Sequence, residues 1–202
     1  MALYKTEAIN LKSKRFAESD KLMTLFTRDH GKVAAIAKSA LKAKSKFGGR
    51  LEPFEYNRFL IAKGRNLDIL SQAETIKTFF RLREDEQKLN AGLYMVKVVD
   101  AFLIPNIKDE KLFDLLLECL YMLEKGFSPK IVVRIFDVRF SDIGGFLPDK
   151  NFLKAKEFVS CVRAGDLAGV TVSQKEINEI DAILMPGMCE HVGKDIRNWK
   201  SL

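Results

Sequence analysis

Few residues in this sequence are placed to do chemistry. Cys119, Cys161 and Cys189 lie far apart, and none belongs to a C-x-x-C pair. That spacing suits reduced thiols better than a metal or redox motif. His30 and His191 are the only histidines, too few and too scattered to complete a zinc site with those thiols. Gly48-Gly49-Arg50 lacks the spacing and the Lys-Ser/Thr of a phosphate-binding loop. The carboxylate groups Glu18-Ser19-Asp20 and Glu84-Asp85-Glu86 have no partnering histidine and no ligand pattern. They read as turn chemistry and as a solvated helix start. No catalytic residue, no metal and no cofactor is assigned, and the expectation is a protein that is not an enzyme.

Two basic segments carry a clearer message. Lys12-Ser13-Lys14-Arg15-Phe16 reads as a loop after a first strand. Lys38-Ser39-Ala40-Leu41-Lys42-Ala43-Lys44-Ser45-Lys46-Phe47 follows a third strand, with Arg50 just beyond. Phosphate binding asks for exposed Lys and Arg, small residues that let backbone approach, and hydroxyls or amides to share the oxygens. Both segments supply them. The expected nucleic-acid contacts are therefore Lys12, Lys14, Arg15, Lys38, Lys42, Lys44, Lys46 and Arg50. Phe16 and Phe47 stand beside the charge as base-stacking platforms or, equally, as core plugs. Lys42, Lys44 and Lys46 share a face if the segment is extended, and Lys38, Lys42 and Lys46 do if it is helical. Six phosphate contacts would give a log–log salt slope of roughly −4 on single strands. A lysine-rich loop can also be a merely solubilising surface.

The rest of the chain must hold these segments in place. It has 202 residues, is 47% hydrophobic and 30% charged, and carries a formal charge of +7. A chain of this size buries a core without disulfides. The start, MALYKTEAIN, has no apolar stretch or cleavage site, and no span is apolar enough for a membrane. A cytoplasmic protein with no membrane partner is expected. Residues 1–80 hold 16 Lys+Arg against 8 Asp+Glu, while the remainder holds 18 against 19. All of the positive excess therefore lies in the first two-fifths of the chain, which suggests that this part meets a polyanion.

Secondary-structure periodicity divides the chain at the same place. Short β-branched and aromatic runs at Tyr4–Leu11, Lys21–Thr27, Lys32–Ala37, Tyr56–Ala62 and Leu67–Ser71 read as five strands. So many short strands in about 75 residues suit a small closed barrel, which leaves no edges. Helical spacing then takes over at Asp85–Leu103 and Asp109–Lys125. Ser128-Pro129 starts a third helix, in which Val132, Ile135, Phe136, Phe140 and Ile143 recur on one face despite their strand propensity. Weaker helices are expected at Asn151–Val162 and Ser173–Met185, with a terminal turn over His191–Lys200. The expected fold class is α+β, with a barrel domain over 1–78 and a helical domain over 79–202.

The run from Phe16 to Glu55, FAESDKLMTLFTRDHGKVAAIAKSALKAKSKFGGRLEPFE, resembles the start of the RecO family of recombination mediators. Ala73-Glu74, the stretch Leu112–Leu120, and Phe136 through Gly144-Gly145 to Pro148 match the family's second half in order. His191-Val192-Gly193-Lys194 with Lys200-Ser201 looks like a degraded form of its C-terminal motif. The resemblance implies an OB (oligonucleotide/oligosaccharide-binding) barrel followed by a helical domain. It implies binding of single- and double-stranded DNA, strand annealing, and loading of the RecA recombinase with RecR onto strands coated by single-strand-binding protein. A bacterial, nucleoid-associated protein of DNA repair, DNA recombination and the DNA-damage response follows. Many members carry a four-cysteine zinc site after the Gly…Pro segment. Here Pro148–Leu167 contains Cys161 alone, in a last third shorter than usual. Two other classes stay open on the residues themselves: an adaptor for an acidic protein surface, and an RNA-binding barrel with a 2′-OH preference.

Overall fold

The computed structural model describes residues 2–147 and 173–199. The helix expected at Asn151–Val162, Cys161, and the end at Lys200-Ser201 lie outside the described residues. Two compact units divide the chain: the residues up to Phe80 with Leu103–Phe113, and Arg81–Phe102 with Asp114 onward. The return of 103–113 to the first unit is a feature that a single cut after residue 78 leaves out.

The first unit is a closed five-stranded barrel in the order β1-β2-β3-β5-β4. Its strands are β1 (Leu3–Arg15), β2 (Lys21–Thr27), β3 (Gly31–Ala37), β4 (Tyr56–Ala62) and β5 (Asp68–Lys77). Neighbours pair antiparallel except β3 and β5, which close the barrel in parallel through Ala35↔Asp68 and Ile36↔Ile69. This is an OB barrel followed by helices, an α+β layout. Alternate residues point inward, where Ala8, Met23, Leu25, Ala35, Phe59, Ile61 and Leu70 form the core. Phe47 and Leu51, from the connection between β3 and β4, join this core.

Two strands outrun their expected lengths. β1 continues to Arg15 rather than stopping at Leu11, and β5 reaches Lys77 rather than Ser71. The polar stretch KSKR reads as a loop on composition, and QAETIK lies beyond the expected end of the fifth strand. Each is nevertheless held in a ladder, β1 by β2 and β5 by β4. Their outward side chains stay in water, so the strands need no apolar alternation there.

Outside the barrel, Phe113 packs edge-on against Phe26 at 5.3 Å and Tyr56 at 6.1 Å between ring centroids, with the Arg28 guanidinium 4.7 Å from its own centroid. Segment 103–113 lies down on the edge of β3, where the Asn106 amide donates to the Lys32 carbonyl at 3.0 Å. Gly31 permits that approach. It has φ +65°, and a β-carbon there would sit 1.9 Å from the Ile107 carbonyl oxygen. Nearby, Glu7 accepts hydrogen bonds from Tyr56 and Arg58, which hold its carboxyl below the usual carboxylate range.

The second unit is helical: α1 (Glu86–Phe102), α2 (Glu110–Lys125, whose first turn belongs to the barrel unit), α3 (Pro129–Ile143) and α4 (Gln174–Val192). Asp109 caps α2 by accepting from the Leu112 amide, and Ser173 with Glu176 forms a capping box at α4. The β-branched run Ile131–Val133 is helical, with Val132, Ile135, Phe136 and Phe140 wholly buried. α4 passes through Pro186 rather than ending at Met185, because Met188 and Val192 beyond it are buried. Among the described residues no helix is long and apolar enough to cross a membrane.

Candidate nucleic-acid interface

Several basic residues lie on the end of β1 and in the connection after β3. Lys12 and Lys14 lie within β1, not in a loop as the sequence suggested. Across the sheet Lys12 faces Thr24 and then Ala34, while Lys14 faces Leu22 and then Ile36. A β-bulge between Asn10 and Lys12 sets this arrangement. Without the extra residue, the outward parity of Ile9 would continue at Leu11 and Ser13. With it, Leu11 is buried and both lysines emerge on the outer face. The outer row carries Thr24 and Ala34, small side chains that let a ligand backbone come close.

The hairpin tip and the long connection after β3 are tied together at this same end. The Phe16 amide donates to the Asp20 carbonyl at 3.0 Å, and the Leu41 amide to the Ser19 carbonyl at 2.9 Å. The Asp20 carboxylate accepts from the Ser39 amide at 2.7 Å, so part of the Glu-Ser-Asp group has a positional role. From Lys38 to Phe47 the connection is neither extended nor helical, and Gly48–Leu51 form one short 3-10 helix. Successive turns run through Ser39–Lys42, Lys42–Ser45, Ser45–Gly48 and Phe47–Arg50, each closed by an i→i+3 backbone bond. Neither of the two expected lysine alignments therefore applies.

Two buried asparagines that sequence reasoning missed fasten this connection to the barrel. The Asn10 side-chain amide donates to the carbonyls of Arg50 at 2.8 Å and Glu52 at 2.9 Å, and that of Asn57 to Arg50 at 2.8 Å. An asparagine inside a strand run was the available signal, since a buried amide must find partners. Lys21 adds an ion pair with Glu52 at 2.9 Å. Asn10→Ala is expected to lower stability by about 1–3 kcal/mol in urea unfolding, because two buried hydrogen bonds go. Amide exchange should accelerate at Leu51 and Glu52 first. Uniform exchange across the chain would count against this anchoring role.

The eight expected cations have different fates. Lys12, Lys14, Lys38, Lys42 and Lys44 are exposed, and their ammonium groups make no ion pair or hydrogen bond among the described residues. Arg15 instead closes its own hairpin, donating to the carbonyls of Ala17 and Glu18. Arg50 donates to the carbonyls of Lys46 and Phe47. Lys46 donates to the Ser71 carbonyl of β5 at 2.7 Å, with its ammonium 5.2 Å from the Phe47 ring centroid. The aromatic pair also splits. Phe47 is wholly buried and fills the barrel core, which corrects the expectation that it could stack on a base. Phe16 is half exposed at the hairpin tip.

The family model described as Recombination protein O N terminal matches residues 1–79, and Recombination protein O C terminal matches residues 83–152. Among curated relatives, the DNA repair protein RecO of Pelotomaculum thermopropionicum is 36% identical over 148 residues, 73% of this chain and 57% of that protein. The chain belongs to the RecO family. The RecO of Caldicellulosiruptor bescii is 34% identical over 163 residues, 81% of this chain and 65% of its own length. That of Nostoc sp. is 42% identical over 122 residues, covering 60% and 41%. The chain thus spans less than two thirds of the length of these RecO proteins. Within its described residues, no group of three or more His, Cys, Asp or Glu is placed to hold a metal ion. Cys119 is buried in the helical unit, and burial pushes its thiol pKa up.

Proposed function

We propose that this RecO-family chain acts in recombinational DNA repair by binding single- and double-stranded DNA on its barrel and promoting the pairing of complementary strands. The observation that carries this reading is the set of five unpartnered lysines, Lys12, Lys14, Lys38, Lys42 and Lys44, on and beside one end of an OB barrel. A charge with no carboxylate nearby is free to exchange its counterions for a phosphate. Five such contacts give a log–log salt slope of about −3.5 on single strands. The binding would read backbone rather than sequence, with Phe16 stacking on a base at the hairpin tip. Neutralised phosphates repel one another less, which lowers the barrier to nucleating a duplex.

In this reading the helical unit carries the protein contacts. RecR and single-strand-binding protein are the proposed partners, and RecA is served indirectly. No cofactor enters the mechanism. The test is fluorescence-monitored annealing of two complementary oligonucleotides over a salt series. Acceleration that fades as salt rises is the expected result. Neither binding nor acceleration at low salt would overturn the reading in favour of a protein adaptor.

A further inference from the structure

The turn of Lys46 toward β5 builds a second cationic hollow, on a part of the barrel surface distinct from the five lysines above. A cavity of about 320 Å³ lies on the outer faces of β1, β4 and β5, and Lys5, Lys46, Arg58, Leu60, Gln72 and Glu74 are among its walls. Register explains why they meet. Lys5 pairs across to Leu60 and then Gln72, and Glu7 pairs across to Arg58 and then Glu74, so two neighbouring rows present these side chains outward. None of Lys12, Lys14, Lys38, Lys42 and Lys44 lines it.

The charges in the hollow do not cancel. Both acids are engaged by one cation: Arg58 reaches Glu7 at 3.0 Å and Glu74 at 3.6 Å. Lys5 and Gln72 make no side-chain hydrogen bond or ion pair among the described residues. Lys46 spends one N–H on the Ser71 carbonyl and keeps two. Two ammonium groups and one carboxamide therefore line the same hollow as Leu60, which is only partly buried. Convergent donors beside an apolar floor suit a phosphodiester with its sugar laid on the leucine.

We propose that this hollow binds a second nucleic-acid strand, separate from the strand held by the lysines of the β1–β2–β3 end. The inference rests on the DNA-binding reading above and extends it. One barrel then holds two strands at once, and their encounter becomes intramolecular with an effective concentration in the millimolar range. The helical unit is not needed for this pairing step.

The experiment counts oligothymidylates of about 10 nucleotides bound by the full chain in native mass spectrometry, a length within the roughly 4–16 nucleotides that one OB barrel engages. Two bound per chain is the expected result. Lys5→Glu should leave one, because each lysine contact is worth about 5-fold at 0.1 M salt and charge reversal costs more. The remaining site should keep its affinity within about twofold, while annealing slows by about 10-fold or more. Lys5→Gln, which only neutralises, should give a smaller loss of the same kind. Both changes are at an exposed residue, and thermal unfolding should match the parent. One oligonucleotide bound by the parent, with a steep salt dependence, would overturn this inference and leave the DNA-binding reading standing. Two still bound by Lys5→Glu with annealing unchanged would do the same. No binding at all by the parent would overturn both.

Discussion

Exchanging Lys12, Lys42 and Lys44 together for glutamine should weaken single-strand binding at the β1–β2–β3 end on the order of 100-fold at 0.1 M salt. The magnitude follows from counterion release, in which each phosphate contact contributes about −0.7 to the log–log slope. With two phosphate-binding lysines left of five, the slope should flatten from about −3.5 to about −1.4. The weakening should be alike for all sequences, since these lysines meet backbone and no base edge. Folding should be untouched, because none of the three is engaged by a carboxylate or a carbonyl among the described residues. Lys21→Gln is the matched control. Its ammonium is already engaged by Glu52 and only about a fifth exposed, so the slope should hardly change. A triple variant with the parent slope, measured by fluorescence anisotropy, would place the phosphates elsewhere on the surface.

That prediction differs from one drawn on sequence alone, and the difference shows what the sequence could carry. Apolar alternation marked the cores of all five strands, because a barrel interior demands one buried residue in two. It could not mark the ends. Lys12 to Arg15 is polar on both faces and still belongs to β1, held by backbone bonds to β2 that side-chain pattern does not report. Charge counting located the basic end of the chain but not the orientation of each cation. Lys46 is one residue from Phe47, and once Phe47 is buried in the barrel its neighbour reaches Ser71. Arg15 and Arg50 are likewise spent on carbonyls of their own turns. A spacing rule assumes one regular conformation, and residues 38–52 adopt a series of turns ending in a short 3-10 helix instead.

The bulge at Asn10 links several of these outcomes. It leaves Leu11 buried, turns Lys12 and Lys14 outward, and leaves Asn10 buried with its amide on the carbonyls of Arg50 and Glu52. One irregular step in β1 thus positions both the cations on the strand and the connection that carries the others. Only the asparagine hints at it in sequence, and an asparagine sits as readily on the solvent face of a regular strand. The helices were easier to read, because caps and periodicity agree there. Asp109, Ser128-Pro129 and Ser173 each stand where a helix begins.

The largest loss of stability is expected at Asp137 in the helical unit. Its carboxylate is wholly buried on α3 and accepts from the Tyr94 hydroxyl of α1 at 2.7 Å. One turn earlier, Arg134 places Nη1 3.8 Å from the same carboxylate and donates from Nη2 to Asp181 of α4 at 2.6 Å. The Nε and Nη1 groups of Arg134 are buried without a hydrogen-bond partner, so its charge depends on these acids. Burial, with Asp137 next, raises the Tyr94 phenol well above its ordinary pKa, so it serves as a donor. Asp137→Ala removes the acceptor of the Tyr94 hydroxyl and one of the two acids facing Arg134, and should cost about 3–5 kcal/mol. Asp181, with about a quarter of its side chain exposed, is screened by solvent and cannot make up the difference. Asp137→Asn keeps an acceptor for Tyr94 but not the charge, and should fall between parent and alanine. Arg134→Met combined with Asp137→Leu should recover most of the loss, since an apolar pair has no charge to leave unpaired. Urea unfolding followed by the single tryptophan, Trp199, reports on this unit directly. A loss below about 1 kcal/mol for Asp137→Ala would mean that Asp181 alone suffices for the arginine, and the pairing across α1, α3 and α4 would then be incidental to stability.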